Sequence, residues 1–189
     1  ANPQRHTWFT IERPFMRLLR NRSDGKSLSN YDKPILIMME CLDREEIDKM
    51  LVRKGIGTLA MVDGKQPYSI PISFGYDPEQ MVCTIQWGKG DGSQKDQAIE
   101  SNSNVCLTVY EQDIDDEEVW RSIVITGEIY EIEEENEERA YASLASNAEF
   151  PTDVGVWGVP FEDVEFRLFG LSTENCTGRK FASKYNGWG

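Results

Sequence analysis

From residue 43 to residue 171 the chain is cut into apolar runs of strand length, and most of the breaks between them carry turn residues. Residues 58–62 and 67–74 flank Asp63-Gly64 and read as a tight hairpin. A third strand, 80–87, follows Asp77-Pro78-Glu79, and further strands are expected at 105–110, 121–132 and 164–171. Helical patterning is confined to three places. Asp43-Arg44-Glu45-Glu46 has the form of a capping box, with Ile47, Met50 and Leu51 at helical spacing and Gly55 as the stop. A short helix is expected over 94–100. A longer one opens at Glu133-Glu134-Glu135 and runs to about Ala148, packing through Ala140, Tyr141, Leu144, Ala145 and Ala148. Six short strands with few helices between them make a mainly β chain, a small β-barrel with peripheral helices.

Composition narrows the function. The 189 residues carry 33 acidic and 20 basic side chains, a net charge of −13, which opposes nucleic acid as the main partner. The charge is uneven. Residues 1–37 hold seven basic and three acidic side chains, a net +4, which leaves −17 for the rest. We therefore read 1–37 as a basic extension, 38–175 as the main domain and 176–189 as a tail. The apolar residues of the extension, among them Trp8, Phe9, Phe15 and Leu19, leave both a membrane surface and its own domain open as what it packs on. No apolar run approaches the roughly 18 residues of a membrane span. The acidic main domain fits a high-salt cytoplasm.

A single histidine, His6, lies in a poorly patterned segment, which argues against histidine-dependent nucleophilic catalysis. Cys41, Cys83, Cys106 and Cys176 have no metal-ligand spacing and fit a reducing compartment; Cys83 and Cys106 fall in apolar runs and read as buried thiols. No metal site is expected.

The loop at 88–93, Gly88-Lys89-Gly90-Asp91-Gly92-Ser93, is the most informative local feature. Three glycines let backbone N–H groups converge on an anion, and Ser93 opens a helix whose N-terminus favours negative charge. Lys89 and Lys95 add full positive charges, so a phosphate suits this place, although an ordinary capped connector has the same form. Upstream, Pro67 and Pro71 in one strand require an edge or a stretch of unpaired backbone. Trp120-Arg121-Ser122 offers a stacking ring, a guanidinium and a hydroxyl. Phe74 reads equally as core and as a contact, and Trp157 reads as core or interface.

These motifs together resemble the pyridoxamine 5′-phosphate oxidase-related split-barrel flavoproteins, most of all their nitroimidazole-resistance-like branch. The resemblance is carried by Gly57-Thr58-Leu59-Ala60, by Pro67-Tyr68 with Pro71 and Ser73-Phe74-Gly75-Tyr76, and by Ser93 with Lys95 and Ile99. Val105-Cys106-Leu107-Thr108-Val109 and Trp120-Arg121-Ser122-Ile123-Val124 with Gly127 continue it. It implies a six-stranded FMN-binding split barrel, a homodimer with FMN in two sites at the subunit interface, and oxidoreductase chemistry on a small molecule. On this resemblance Ser73, Phe74 and the adjoining backbone border the flavin ring. Ser93 and Lys95 hold the FMN phosphate with Lys89 assisting. Trp120, Arg121 and Ser122 approach the cofactor from this chain or its partner, with Arg121 the candidate for stabilising reduced flavin. A flavin held without turnover, and a cofactor-free dimeric module, are the alternatives. The final strand, Phe166-Arg167-Leu168-Phe169-Gly170, lacks the proline of the family's terminal substrate signature, so the resemblance implies a cofactor and no particular substrate.

Overall fold

A computed structural model describes residues 7–10, 35–88, 93–113, 119–148 and 165–185. His6, Lys89, Gly90, Gly92, Trp157, Val164 and most of the basic extension lie outside the described residues. The chain forms two units, one made of 1–42, 111–122 and 179–189, the other of 43–110 and 123–178.

The larger unit holds the expected helices and most of the expected strands. Its first helix, α1 (Arg44–Arg53), begins at a capping box: Asp43 accepts from the Glu46 amide at 2.9 Å, and Glu46 accepts from the Asp43 amide at 3.0 Å. Ile47, Met50 and Leu51 are buried. Two strands follow, which we number β3 (Ile56–Asp63) and β4 (Gln66–Ser73), leaving β1 and β2 for the smaller unit. They pair antiparallel with Asp63 opposite Gln66, so the turn falls on Gly64-Lys65, one residue later than the sequence suggests. Gly64 has φ +61°, the conformation that glycine adopts at little cost and that this hairpin needs.

On its other side β3 pairs with β7 (Asn104–Gln112), and β4 is an edge among the described residues, which suits Pro67 and Pro71. A short strand absent from the sequence reading, β5 (Gly75–Asp77), pairs with β6 (Val82–Gly88). The third strand therefore starts at Val82, because Met81 adopts a left-handed φ of 55° and turns its carbonyl to the Thr173 amide, 2.7 Å away. Next β6 pairs with β9 (Phe166–Ser172), which also pairs with the end of β8 (Val119–Glu131). The core gathers Phe74, Leu59, Ile85, Leu107, Ile123, Ile125 and Leu171, none more than 1% exposed. Each such side chain contributes about 1.5–3 kcal/mol by leaving water.

The remaining helices are α2 (Gln94–Ser101) and α3 (Glu137–Asn147). One turn of 3₁₀ helix, Glu134–Asn136, precedes α3, so the glutamate run leads into the helix and does not form its first turn. The buried face of α3 is Ala140, Ser143 and Leu144, while Tyr141 and Ala145 face solvent, against expectation. Asn147 explains the rotation. Its amide oxygen accepts from the Tyr76 amide, and its nitrogen donates to the carbonyls of Leu51 and Lys54. Strand β5 lies against α3 so closely that a Cβ on Gly75 would sit 2.4 Å from backbone atoms of Ser143 and Leu144.

In the smaller unit, β2 (Ile35–Cys41) pairs antiparallel with β1 (Thr7–Thr10) on one side and with β10 (Cys176–Tyr185) on the other. The sequence reading had no strand at either end. The segment read as a tail carries β10, whose alternation is masked by Lys, Arg and Ser. Cys83 is wholly buried as expected, whereas Cys106 is only partly so. Among the described residues no helix is long and apolar enough to cross a membrane.

Candidate functional site

The glycine-rich stretch in which the sequence reading expects an anion site runs between β6 and α2, and the described residues flanking it form one connected cluster. Ser93 is the N-cap of α2: its hydroxyl accepts from the Asp96 amide at 3.3 Å and donates to Asp96 Oδ2 at 2.5 Å. The other oxygen, Asp96 Oδ1, accepts from Trp87 Nε1 at 2.7 Å, which ties the end of β6 to the first turn of α2. Gln94 Nε2 donates to Asp63 Oδ2 at 3.0 Å and anchors the same turn on the tip of β3.

Trp87 is 3% exposed and meets the Phe169 ring edge-on at 5.7 Å. The ammonium of Lys95 lies 4.9 Å from the centre of the indole. Burial pulls the Lys95 pKa below its ordinary value, and the neighbouring Asp96 carboxylate partly restores it. Across the sheet from Trp87, Arg167 holds Glu131 through two hydrogen bonds of 2.9 and 2.8 Å and covers Phe169. Trp87, Asp96 and Arg167 were not foreseen as site residues. The Ser93-x-x-Asp96 spacing was the available signal for one of them; Trp87 and Arg167 are brought opposite each other only by strand pairing.

Ser73 and Phe74 lie at the end of β4. Ser73 Oγ donates to the Gly55 carbonyl at 3.1 Å, as does the Phe74 amide at 2.9 Å. Phe74 is completely buried and its ring fills the core of the larger unit, the first of the two readings that the sequence left open for it. In the smaller unit, Trp120 is 44% exposed and Ser122 partly so. Arg121 is ion-paired with Asp113 at 2.6 Å and lies 3.7 Å from Glu111. Two carboxylates thus occupy the guanidinium that the sequence offered to a reduced flavin. Among the described residues, no group of His, Cys, Asp and Glu is arranged to hold a metal ion.

As a donor set, Lys95 and the first amides of α2 suit a phosphate. The Ser93 hydroxyl is already donated to Asp96, and Asp96 brings a negative charge to the same turn. The residues present therefore fit the phosphate of a flavin nucleotide through a cation and backbone amides, with the serine hydroxyl contested.

A curled antiparallel sheet with three helices among the described residues defines a split-barrel protein. Residues 43–157, more than half of the sequence, match the family model described as pyridoxamine 5′-phosphate oxidase, and the chain belongs to that family. Among solved structures it is similar to an FAD-binding protein from Mesorhizobium loti, with 20% identity and a TM-score of 0.59 over 77% of this chain and 98% of that one. A protein from Bacteroides thetaiotaomicron described as a 5-nitroimidazole antibiotic resistance protein aligns with 16% identity and a TM-score of 0.58, covering 78% and 90%. An FAD-binding protein from Mycobacterium smegmatis aligns with 14% identity and a TM-score of 0.52, covering 75% and 97%. The search of curated proteins returned no match.

Proposed function

We propose that this chain is an FMN-binding oxidoreductase that works as a homodimer on a small molecule. The observation that carries the reading is Lys95: in a chain of net charge −13, a half-buried ammonium rests on an indole at the start of a helix, beside a glycine-rich loop. An anionic ligand would add a charge-assisted contact to that ammonium. Lys95 and the α2 amides hold the phosphate, with Lys89 assisting. The backbone around Ser73 and Phe74 borders the flavin ring, and Trp120, Arg121 and Ser122 approach it from this chain or its partner. Bound flavin would supply two-electron transfer, while the protein positions it and sets its electrostatics. The FAD-binding neighbours support a flavin, and the terminal phosphate of FMN is the simplest anion for a cradle of one lysine and one helix turn.

Dimer formation is supported by one face of the larger unit's sheet. Pairing puts Thr58, Ala60 and Val62 of β3 on the same face as Pro71, Ser69 and Pro67 of β4, with Thr108 and Cys106 of β7 beside them. Not one of these eight residues is charged, although 28% of the chain is. A second copy is the partner that such a face suits. The four free thiols agree with action in a reducing cytoplasm.

The absorbance spectrum of the purified protein tests the cofactor. The reading predicts a yellow protein that releases FMN on denaturation, or a colourless one that turns yellow with added FMN. A protein that does neither contradicts it.

A further inference from the structure

In α1 the acidic residue three positions after the N-cap turns back to the cap amide; in α2 it does not. Asp96 divides its carboxylate between the Trp87 indole N–H at 2.7 Å and the Ser93 hydroxyl at 2.5 Å. Two consequences follow from these bonds. The plane of Trp87, on which the Lys95 ammonium rests, is set by Asp96. A serine hydroxyl has one proton, and Asp96 holds it, so Ser93 cannot donate to a phosphate while that bond stands.

We propose that Asp96 is a positioning residue for the phosphate cradle with two opposed effects: it strengthens the cradle by fixing the indole under Lys95, and weakens it by its charge and its claim on Ser93. This rests on the flavin reading above. The two effects separate by substitution. In Asp96→Asn the side-chain carbonyl still accepts from Trp87, the negative charge is gone, and the Ser93 proton is released toward the ligand. In Asp96→Ala charge and claim are also gone, but the buried indole N–H loses its acceptor and Lys95 loses a fixed platform.

The test is FMN binding by flavin fluorescence quenching on the full chain, with near-ultraviolet circular dichroism of the ligand-free proteins reporting the tryptophan environment. Asp96→Asn should bind FMN about threefold to tenfold more tightly than the parent and keep its near-ultraviolet spectrum. Asp96→Ala should bind at least about tenfold more weakly than Asp96→Asn and lose part of that spectrum. In a Trp87→Phe background there is no N–H to hold, so the two substitutions should become equal. A purely structural aspartate would not give that convergence. Equal affinities of Asp96→Asn and Asp96→Ala in the parent background, or weaker binding by Asp96→Asn than by the parent, would overturn the inference while leaving the flavin reading intact. No FMN binding by the parent would overturn both.

Discussion

Two helix N-termini in the same unit carry nearly the same local code and are used in opposite ways. Each opens with an oxygen-bearing cap, Asp43 or Ser93, has an acid three residues later, Glu46 or Asp96, and bears a cation in its first turn, Arg44 or Lys95. At α1 the two terminal nitrogens of the cation close on the protein itself, while the buried Arg44 Nε has no hydrogen-bond partner. Arg44 donates to the Thr173 carbonyl and hydroxyl at 2.9 and 2.8 Å, to the Tyr76 hydroxyl at 2.5 Å and to Cys176 Sγ at 3.6 Å, and pairs with Asp48 at 2.9 Å. Burial, aided by the bond to Asp48, pushes the Tyr76 phenol up to about 12, so it stays a neutral donor in this network. At α2 the cation is spread over an aromatic face beside a glycine-rich loop. The comparison teaches that a capping motif is a structural device until one asks where the cation's charge goes.

The difference can be broken experimentally, beginning with the frame that holds both helices. Gly75→Ala forces a Cβ into the backbone of α3 and should destabilise the protein by ~3 kcal/mol or more, read as a lowered midpoint in urea unfolding. Arg44→Met removes the latch between α1 and the β9–β10 turn, at a cost of about 2–3 kcal/mol, and should leave FMN affinity unchanged. The two caps, Asp43→Ala and Ser93→Ala, should each cost about 1 kcal/mol by thermal unfolding. Only Ser93→Ala should also weaken FMN binding, by about threefold, as the first turn of α2 frays.

The smallest effect lies at Asp77, whose carboxyl is held below its ordinary 3.8 chiefly by a hydrogen bond from Arg139, with the Gln80 and Glu79 amides adding to it. A depressed carboxyl contributes stability above pH 3.8 that is lost as pH falls through its lower folded value. Asp77→Asn should therefore lower the thermal midpoint near pH 7 slightly, and the gap from the parent should close as pH falls through the lowered folded value of the carboxyl. A gap that persists in acid would remove the Arg139 pair from the account.

The parts of this contrast differed in how legible they were. The capping box of α1, the 93–101 helix start, the hairpin and the edge position of Pro67 and Pro71 are local signals, and each was readable because neighbouring residues alone determine it. The turn shifted by one residue because Gly64, and not the Asp63-Gly64 pair, supplies the positive φ. Strands β1, β2 and β10 were missed because no local alternation of polar and apolar residues marks them. The face of α3 was misjudged because Asn147, a polar residue, makes its decisive bonds to α1 and β5. At the site, Ser93 and Asp96 come together through the three-residue capping spacing that sequence reveals, and Lys95 lies in the same first turn. Trp87 and Arg167 are 80 positions apart and meet only through the pairing of β6 with β9. Phe74 was ambiguous because an aromatic beside a polar corner reads equally as core and as contact, and the pairing of Arg121 with Asp113 depends on where the chain folds back.

The central claim is that α2 opens toward an anionic flavin nucleotide while α1 does not. It is tested most directly by titrating FMN into the parent protein and into Lys95→Glu, with Arg44→Met as the control. The account predicts that the parent binds, that Lys95→Glu loses at least about tenfold in affinity with its thermal midpoint little changed, and that Arg44→Met binds like the parent. Equal binding by the parent and Lys95→Glu would contradict it.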